Sequence, residues 1–289
     1  MLKFIFLLVL VIVMIVLDRN MLNISSNEFY TNNHIDRHNK KTIWIYNNYI
    51  ASRNKYTATP EIINMCIETV TRHLGSDYNI LVFTQADIGR IVPEYTAQIN
   101  NCKSEYIREN LLKYSIIYKY GGVWLNCSTL VLNKFDIDEQ PYLQGKLIFF
   151  AERILEYNDN FNVFDFTNIA AIKNSRQVQK ILTNLLKVSN TLNYDYSFNK
   201  LIESTLNDDA DIHYMPISNI PAFSNIQLNN KTLFTYSSKF DIPGSIKLIY
   251  LNFTTLLQEP SYNNILTMTR RDILENDSLL KSLIKYSLD

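Results

Sequence analysis

Short apolar runs alternate with amphipathic helical segments over residues 42–188, and this alternation limits what the chain can fold into. The apolar runs have the length of buried strands and occupy residues 42–46, 80–84, 123–125 and 146–151. Between and after them, apolar residues recur with helical spacing at residues 60–74, 104–120 and 175–188. Strands separated by helices predict an α/β fold of Rossmann type, with a mixed, mostly parallel sheet flanked by helices.

The helix predicted at residues 60–74 has the clearest boundaries. Thr59 is expected to cap it, Pro60 to occupy its first helical position and Gly75 to end it. After residue 195 the pattern weakens, and we expect one helix near residues 198–206 and another that ends near Lys285. Since no internal repeat or low-complexity tract divides residues 41–289, they are expected to form one domain.

The chain begins with an apolar segment at residues 4–17. A helix over residues 1–17 would be about 25 Å long, close to the ~30 Å hydrocarbon core of a membrane. Residues 1–18 are therefore predicted to form a signal anchor and transmembrane helix, followed by a polar stem at residues 19–40. A cleaved signal peptide is the alternative.

The anchor predicts a single-pass type II membrane protein whose globular domain is lumenal (endoplasmic reticulum or Golgi) or extracytoplasmic. Sequons for N-glycosylation are compatible with this location and occur at Asn23, Asn126, Asn230, Asn252 and Asn276.

Charge and cysteine content exclude several classes of protein. The chain has 28 basic and 28 acidic residues, so no basic excess is available for nucleic acid, which we exclude as a partner. Three cysteines are too few and too far apart for a disulfide framework, and the four histidines form no metal triad or Ser-His-Asp arrangement. Gly-x-Gly-x-x-Gly and P-loop patterns are missing from the sequence as well.

Residues 104–133 are the segment that points to a function. A predicted helix runs into adjacent glycines at Gly121 and Gly122, in a chain with only six glycines, and a strand follows. The strand gives way to the polar break Asn126-Cys127-Ser128 before an apolar run resumes. Open α/β sheets bind ligands at the carboxyl ends of their strands, so this break predicts a binding site.

This segment resembles the DxD-type glycosyltransferases of GT-A fold, in particular the capsular-polysaccharide-synthesis-like and mannosyltransferase-like group. There, a helix of the form Ser/Ala-Asp-x-x-Arg-x-x-x-Leu-x-x-x-Gly-Gly leads into Val/Ile-Trp/Tyr-Leu/Ile-Asp-x-Asp/Thr. The positions that match or nearly match are Ser104, Glu105, Arg108, Leu112 or Ile116, Tyr120, Gly121, Gly122, Val123, Trp124 and Leu125. Residues 42–46, 60–74 and 168–173 resemble flanking elements of that group, so the resemblance covers roughly residues 41–190.

The resemblance implies a glycosyltransferase that moves a hexose from a nucleotide-sugar donor to a glycan or glycolipid acceptor, with retention of stereochemistry. It assigns no catalytic residue. The residues expected to bind the donor are Trp44, Glu105, Arg108, Gly121, Gly122, Asn126 and Ser128. Trp44 is equally compatible with a place in the core, and Glu105 with a simple intrahelical ion pair to Arg108.

The chain departs from the group at the strand end. Asn126 occupies the position of the first Asp, and Ser128 occupies the position where the group has Asp or Thr. The group holds a divalent cation there, Mn or Mg, but the side chains of Asn126 and Ser128 carry no charge, so they are expected to bind a cation only weakly. Three outcomes stay open. The enzyme works with a weak or metal-free site, the domain is an inactive glycan-binding or nucleotide-binding pseudoenzyme, or another carboxylate replaces the missing one.

Two Asp-x-Asp strings bear on the last outcome, Asp136-Ile-Asp138 and Asp209-Ala-Asp211. We expect the first to lie in a solvated loop and the second in a charged turn. Cys127 is expected to be a small packed residue and not a nucleophile, because no basic cluster adjoins it. A structural membrane protein without a ligand is a further possibility, and it would have no polar pocket beside Asn126.

Overall fold

The computed structural model describes residues 40–50, 58–150, 167–189, 201–202, 204–205, 212–215, 247–251, 264–275 and 278–289. The predicted anchor and almost all of the predicted stem lie outside these residues. Within them, no helix is both long and apolar enough to cross a membrane.

The described residues form a mixed α/β fold with a six-stranded sheet. Along the chain the strands are β1 (Thr42–Tyr46), β2 (Asn79–Phe83), β3 (Gly122–Trp124), β4 (Thr129–Val131), β5 (Leu147–Phe149), β6 (Ile169–Ala171), β7 (Ile212–Tyr214) and β8 (Leu248–Tyr250). The main sheet has the order β2-β1-β3-β6-β5-β7, and β4 pairs with β8 in a separate two-stranded sheet.

Parallel pairing in one half of the main sheet sets the position of the site. Strand β1 lies between β2 and β3 and runs parallel to both. Strand β6 is antiparallel to β3 and β5, whereas β5 and β7 are parallel. The sheet is thus mixed and mostly parallel, as predicted, and the carboxyl ends of β1, β2 and β3 meet at one edge.

Helices flank these strands. The α-helices are α1 (Glu61–Leu74), α2 (Ile88–Ile91), α3 (Thr96–Asn101), α4 (Glu105–Tyr120), α5 (Glu139–Leu143), α6 (Arg176–Val188), α7 (Arg270–Glu275) and α8 (Leu279–Leu288). Short 3-10 helices occupy Asn48–Ile50, Gln85–Asp87 and Pro93–Tyr95. Helix α1 packs against β4 and α8, and α4 packs against α6.

The N-terminus of α1 differs from the prediction. Pro60 is the N-cap residue, and the helix begins at Glu61 without a side-chain cap. Thr59 therefore precedes the cap position, and its hydroxyl accepts a hydrogen bond from Asn47 Nδ2 at 2.8 Å, beyond the end of β1. At the other end, Gly75 follows Leu74 as predicted, with helical dihedral angles.

Strand β2 is less buried than its apolar sequence suggested. It forms an edge of the main sheet, where Val82 is exposed and only Phe83 is fully buried. The sequence pattern predicts no separate strand at Ile169–Ala171, which forms β6 and joins the two halves of the sheet. The described part of the predicted helix near residues 198–206 is helical, and the last helix continues three residues past Lys285.

Candidate functional site

A polar cleft of about 200 Å³ lies at the carboxyl ends of β1 and β3, beside helix α4. Its position is that of ligand sites in open α/β sheets. The cleft is rich in amide, phenol and carboxyl groups and is lined by Asn48, Tyr49, Glu105, Tyr106, Glu109, Asn110, Lys113, Asn126, Cys127, Ser128, Thr167 and Tyr250. A polar pocket therefore adjoins Asn126, contrary to what a structural membrane protein without a ligand would show.

Helix α4 presents one face to this cleft. Ser104 caps the helix by accepting a hydrogen bond from the Ile107 backbone amide at 3.4 Å, which fixes where the helix begins. Glu105, Glu109 and Lys113 follow at four-residue intervals, so their side chains share that face.

The break after β3 forms a closed turn. Asn126 Oδ1 accepts hydrogen bonds from the backbone amide of Ser128 at 3.0 Å and from its hydroxyl at 2.8 Å. The backbone amide of Thr129 donates to the Asn126 carbonyl at 3.0 Å. Asn126 thus forms an Asx turn that ends β3 and directs the chain into β4.

Glu109 connects helix α4 to this turn. Its Oε1 accepts a hydrogen bond from Asn126 Nδ2 at 3.0 Å, and its Oε2 accepts one from Asn48 Nδ2 at 3.4 Å. Burial raises the pKa of the Glu109 carboxyl, against the opposing effects of Lys113 and of the hydrogen bond from Asn126. Glu109 is thus the carboxyl group held closest to the strand end among the described cleft residues.

Asn168 supports the turn from the other side. Its Oδ1 accepts hydrogen bonds from the Asn126 backbone amide at 2.9 Å and from the Thr129 hydroxyl at 3.2 Å. Asn168 directly precedes β6, so the turn is fixed to the strand beside β3.

The residues at the strand end do not fit a divalent cation. The side-chain oxygen of Asn126 already accepts two hydrogen bonds from Ser128, and its amide nitrogen donates to Glu109. Ser128 is buried, with 4% of its surface exposed. Among the described residues, no group of three or more His, Cys, Asp or Glu side chains could hold a metal ion.

The predicted donor-binding residues fall into two groups. Glu105, Asn126 and Ser128 line the cleft together. Arg108 does not line it, because it lies on a different face of α4, where it is buried 3.9 Å from the Glu105 carboxylate. Within the described part of the chain, its Nε and Nη2 atoms have no hydrogen-bond partner.

Trp44, Gly121 and Gly122 also lie away from the cleft. Trp44 is buried between Phe83 and Tyr120, and its indole nitrogen donates to the Gly121 carbonyl at 3.0 Å. Both glycines have positive φ angles, and a Cβ atom on Gly122 would lie 2.3 Å from the Thr42 carbonyl oxygen. These contacts give the three residues a packing role, and donor binding by them stays a prediction.

The first Asp-x-Asp string supplies no carboxylate to the cleft. Asp136 and Asp138 are exposed, and Asp138 accepts a hydrogen bond from His213 Nε2 at 2.5 Å. The second string, at residues 209–211, lies outside the described residues. Cys127 is buried as expected, and burial raises the pKa of its thiol.

Sequence reasoning missed Glu109, Asn110 and Lys113. For Asn110 and Lys113, the sequence signal was the spacing of the glycosyltransferase pattern when its positions are counted backwards from Gly121. That spacing places Lys113 at the Arg position and Asn110 at the acidic position, in place of Arg108 and Glu105. The cleft agrees with this second alignment, because Asn110 and Lys113 both line it.

No family model matches the chain, and no curated protein matches it. Among solved structures, the PaToxG glycosyltransferase matches with 12% identity and a TM-score of 0.35, over 85% of this chain and 86% of its own. Two structures of the glycosyltransferase GlyE from Streptococcus pneumoniae TIGR4 match over 86% of this chain. The apo form has 14% identity and a TM-score of 0.41, and the other has 12% and 0.43. This chain spans 60% of the length of GlyE, and the likeness assigns neither donor nor acceptor.

Proposed function

We propose that this protein is a glycosyltransferase that moves a hexose from a nucleotide-sugar donor to a glycan or glycolipid acceptor. The observation that carries the proposal is the polar cleft at the carboxyl ends of β1 and β3, formed by the strand-end turn and one face of α4. The segment that resembles the GT-A glycosyltransferases contains helix α4, which lines this cleft, and strand β3, whose carboxyl end leads into it.

The proposed reaction replaces one bond at the anomeric carbon of the sugar by another. The bond from that carbon to the diphosphate oxygen breaks, and its electron pair leaves with the nucleoside diphosphate. The acceptor hydroxyl oxygen forms the new glycosidic bond, and its proton is released to solvent. The protein must therefore hold the sugar near the acceptor and offset the charge on the diphosphate.

A binding experiment with the full-length chain tests the proposal. Uridine, guanosine and adenosine diphosphates would be titrated calorimetrically, once with Mn²⁺ and once with a chelator. We expect at least one nucleotide to bind, and its sugar derivative to lose the hexose to water or to an added glycan. If none of the nucleotides binds under either condition, the transferase proposal fails.

A second candidate is an inactive glycan-binding protein with the same fold. Asn110 and Asn126 favour it, because amides stand where the glycosyltransferase pattern has acids, and an amide both donates and accepts hydrogen bonds, as the hydroxyl groups of a neutral sugar require. Binding of free oligosaccharides on a glycan array, together with no nucleotide binding, would support this candidate.

We also propose that residues 1–18 anchor the protein in a membrane, with the domain on the lumenal or extracytoplasmic side. The uninterrupted apolar run at residues 4–17 supports this. Extraction of membranes with alkaline carbonate would leave an anchored chain in the pellet, and a fully released chain would contradict the anchor.

A further inference from the structure

The cleft contains an internal cation where a metal ion does not fit. Lys113 lines the cleft on the same face of α4 as Glu105 and Glu109, and only 4% of its surface is exposed. It is the only Lys or Arg among the described residues that line the cleft.

The surroundings of Lys113 hold its side chain beside the cleft. Its ammonium nitrogen lies 5.3 Å from the centre of the Tyr114 ring. Burial raises the pKa of Glu109, four residues earlier in the helix, and the positive charge of Lys113 opposes this rise. A lysine ammonium carries three donors on a compact charge, which suits phosphate oxygens. Lys113 therefore has both the charge and the position to bind an anionic group that enters the cleft.

We infer that Lys113 takes the place of a divalent cation, binding the diphosphate of the donor so that donor binding needs no metal ion. The inference rests on the proposed transferase function and adds the source of positive charge. The strand-end side chains Asn126 and Ser128 then have no metal to ligate, in agreement with their hydrogen bonds to each other.

Two further arrangements in the cleft agree with this inference. Lys113 lies close enough to Glu109 to affect the pKa of the Glu109 carboxyl. The ammonium group therefore has an acidic group nearby when no donor is bound. The other carboxylate on this face belongs to Glu105, the first residue of α4. Its side chain is 58% exposed, so solvent screens its negative charge.

Calorimetric titration of the full-length chain with nucleoside diphosphates tests the inference. The wild-type protein should bind with the same affinity in Mn²⁺ and in chelator. Loss of one charge-assisted hydrogen bond corresponds to about 10-fold to 100-fold in affinity, which we expect for Lys113→Met. Lys113→Arg should retain most of the affinity because it retains the charge.

Lys103→Met is the matched control, since Lys103 is exposed just before α4 and does not line the cleft. It should bind like the wild type. Circular dichroism would check folding, and Lys113→Gln provides a polar variant if Lys113→Met does not fold. The comparison of Mn²⁺ with chelator uses the wild type alone and does not depend on any variant.

The outcomes separate the two proposals. Binding that requires Mn²⁺, or Lys113→Met and Lys113→Gln variants that bind as tightly as the wild type, would overturn the role of Lys113 and leave the transferase proposal standing. A wild-type protein that binds none of the nucleotides would overturn both.

Discussion

Asn126 has a role at the strand end that an aspartate could not fill. Its amide nitrogen donates a hydrogen bond to the Glu109 carboxyl, and its oxygen accepts hydrogen bonds from Ser128. One side chain thus supplies a donor to Glu109 and an acceptor to Ser128. A carboxylate only accepts hydrogen bonds when ionised. The replacement of acid by amide at position 126 therefore matches the presence of Glu109 opposite it.

The variant Asn126→Asp tests this pairing. It would place two carboxyl groups in contact, so we expect the free energy of unfolding at neutral pH to fall by about 1–3 kcal/mol. Urea denaturation would measure the loss. The double variant Asn126→Asp with Glu109→Gln restores a donor opposite the new acid and should recover most of it. An Asn126→Asp protein as stable as the wild type would contradict the pairing.

Arg108 poses the opposite case, a buried charge with unmet hydrogen bonds. Its surface is 8% exposed, and its Nε and Nη2 atoms lack partners among the described residues. Such groups cost about 1–3 kcal/mol each, so Arg108→Met is expected to raise the free energy of unfolding of the ligand-free protein by about 1 kcal/mol or more.

Chemical denaturation measures this change, with Arg271→Met as the control. Arg271 is exposed and pairs with Glu275 on the surface of α7, so its loss should change stability by at most about 0.5 kcal/mol. A marked loss of stability in Arg108→Met would show that the guanidinium is satisfied in solution.

At the scale of elements, the sequence predicted the helices and the parallel strands that have strong patterns. Ile62, Cys66, Val70 and Leu74 recur with helical spacing, and all four are buried on one side of α1. Strand β6 was missed because two of its three residues are alanine, which is uncommon in strands, and so short a run has no period of its own.

The candidate site was predicted less fully than the fold. The polar break at Asn126 located the strand end correctly, because apolar runs end where strands leave the core. The helix residues opposite it depend on rotation about the helix axis, and Lys113 lies five positions after Arg108, a net rotation of about 140° around α4. An alignment anchored at Ser104 therefore selected Arg108, and one anchored at Gly121 selects Lys113.

The joint between α4 and β3 depends on Gly122. Its φ angle is 98°, and a Cβ atom would overlap the Thr42 carbonyl oxygen of β1. We expect Gly122→Ala to lower the free energy of unfolding by about 3 kcal/mol or more, through backbone strain and steric overlap.

Thermal denaturation would measure this loss, and Gly89→Ala is the matched control. Gly89 lies in helix α2, where the nearest atom to an added Cβ is a Thr96 methyl group at 4.0 Å. Its replacement should leave stability unchanged or raise it by up to about 1 kcal/mol. Equal effects at the two glycines would contradict the role given to the joint.

At the scale of the whole domain, the last helix completes the core. Four buried side chains of α8 belong to the main hydrophobic cluster, namely Leu279, Leu280, Leu283 and Ile284. Hydrogen bonds also attach the helix to its neighbours. The Ser287 hydroxyl donates to the Val131 carbonyl of β4, and the His73 ring forms a hydrogen bond with the Ser287 carbonyl.

Deletion of residues 279–289 is therefore expected to prevent stable folding. Each buried Leu or Ile contributes about 1.5–3 kcal/mol, so the four together contribute about 6–12 kcal/mol, as much as the ~5–15 kcal/mol that stabilises a typical domain. Limited proteolysis and circular dichroism would detect the loss. Tyr286→Ala, which alters an exposed residue of the same helix, should leave both measurements unchanged.

The short strand β3 separates two sets of residues with different tasks. Gly121 and Gly122 lie at its N-terminal end, away from the cleft, and its carboxyl end leads into the cleft residues Asn126 and Ser128, which face Asn110 and Lys113 of α4. A library that varies positions 110, 113 and 128 would therefore sample new ligand preferences while the glycine joint keeps the sheet assembled. The domain is for this reason a suitable starting scaffold for the selection of binders or catalysts with altered specificity.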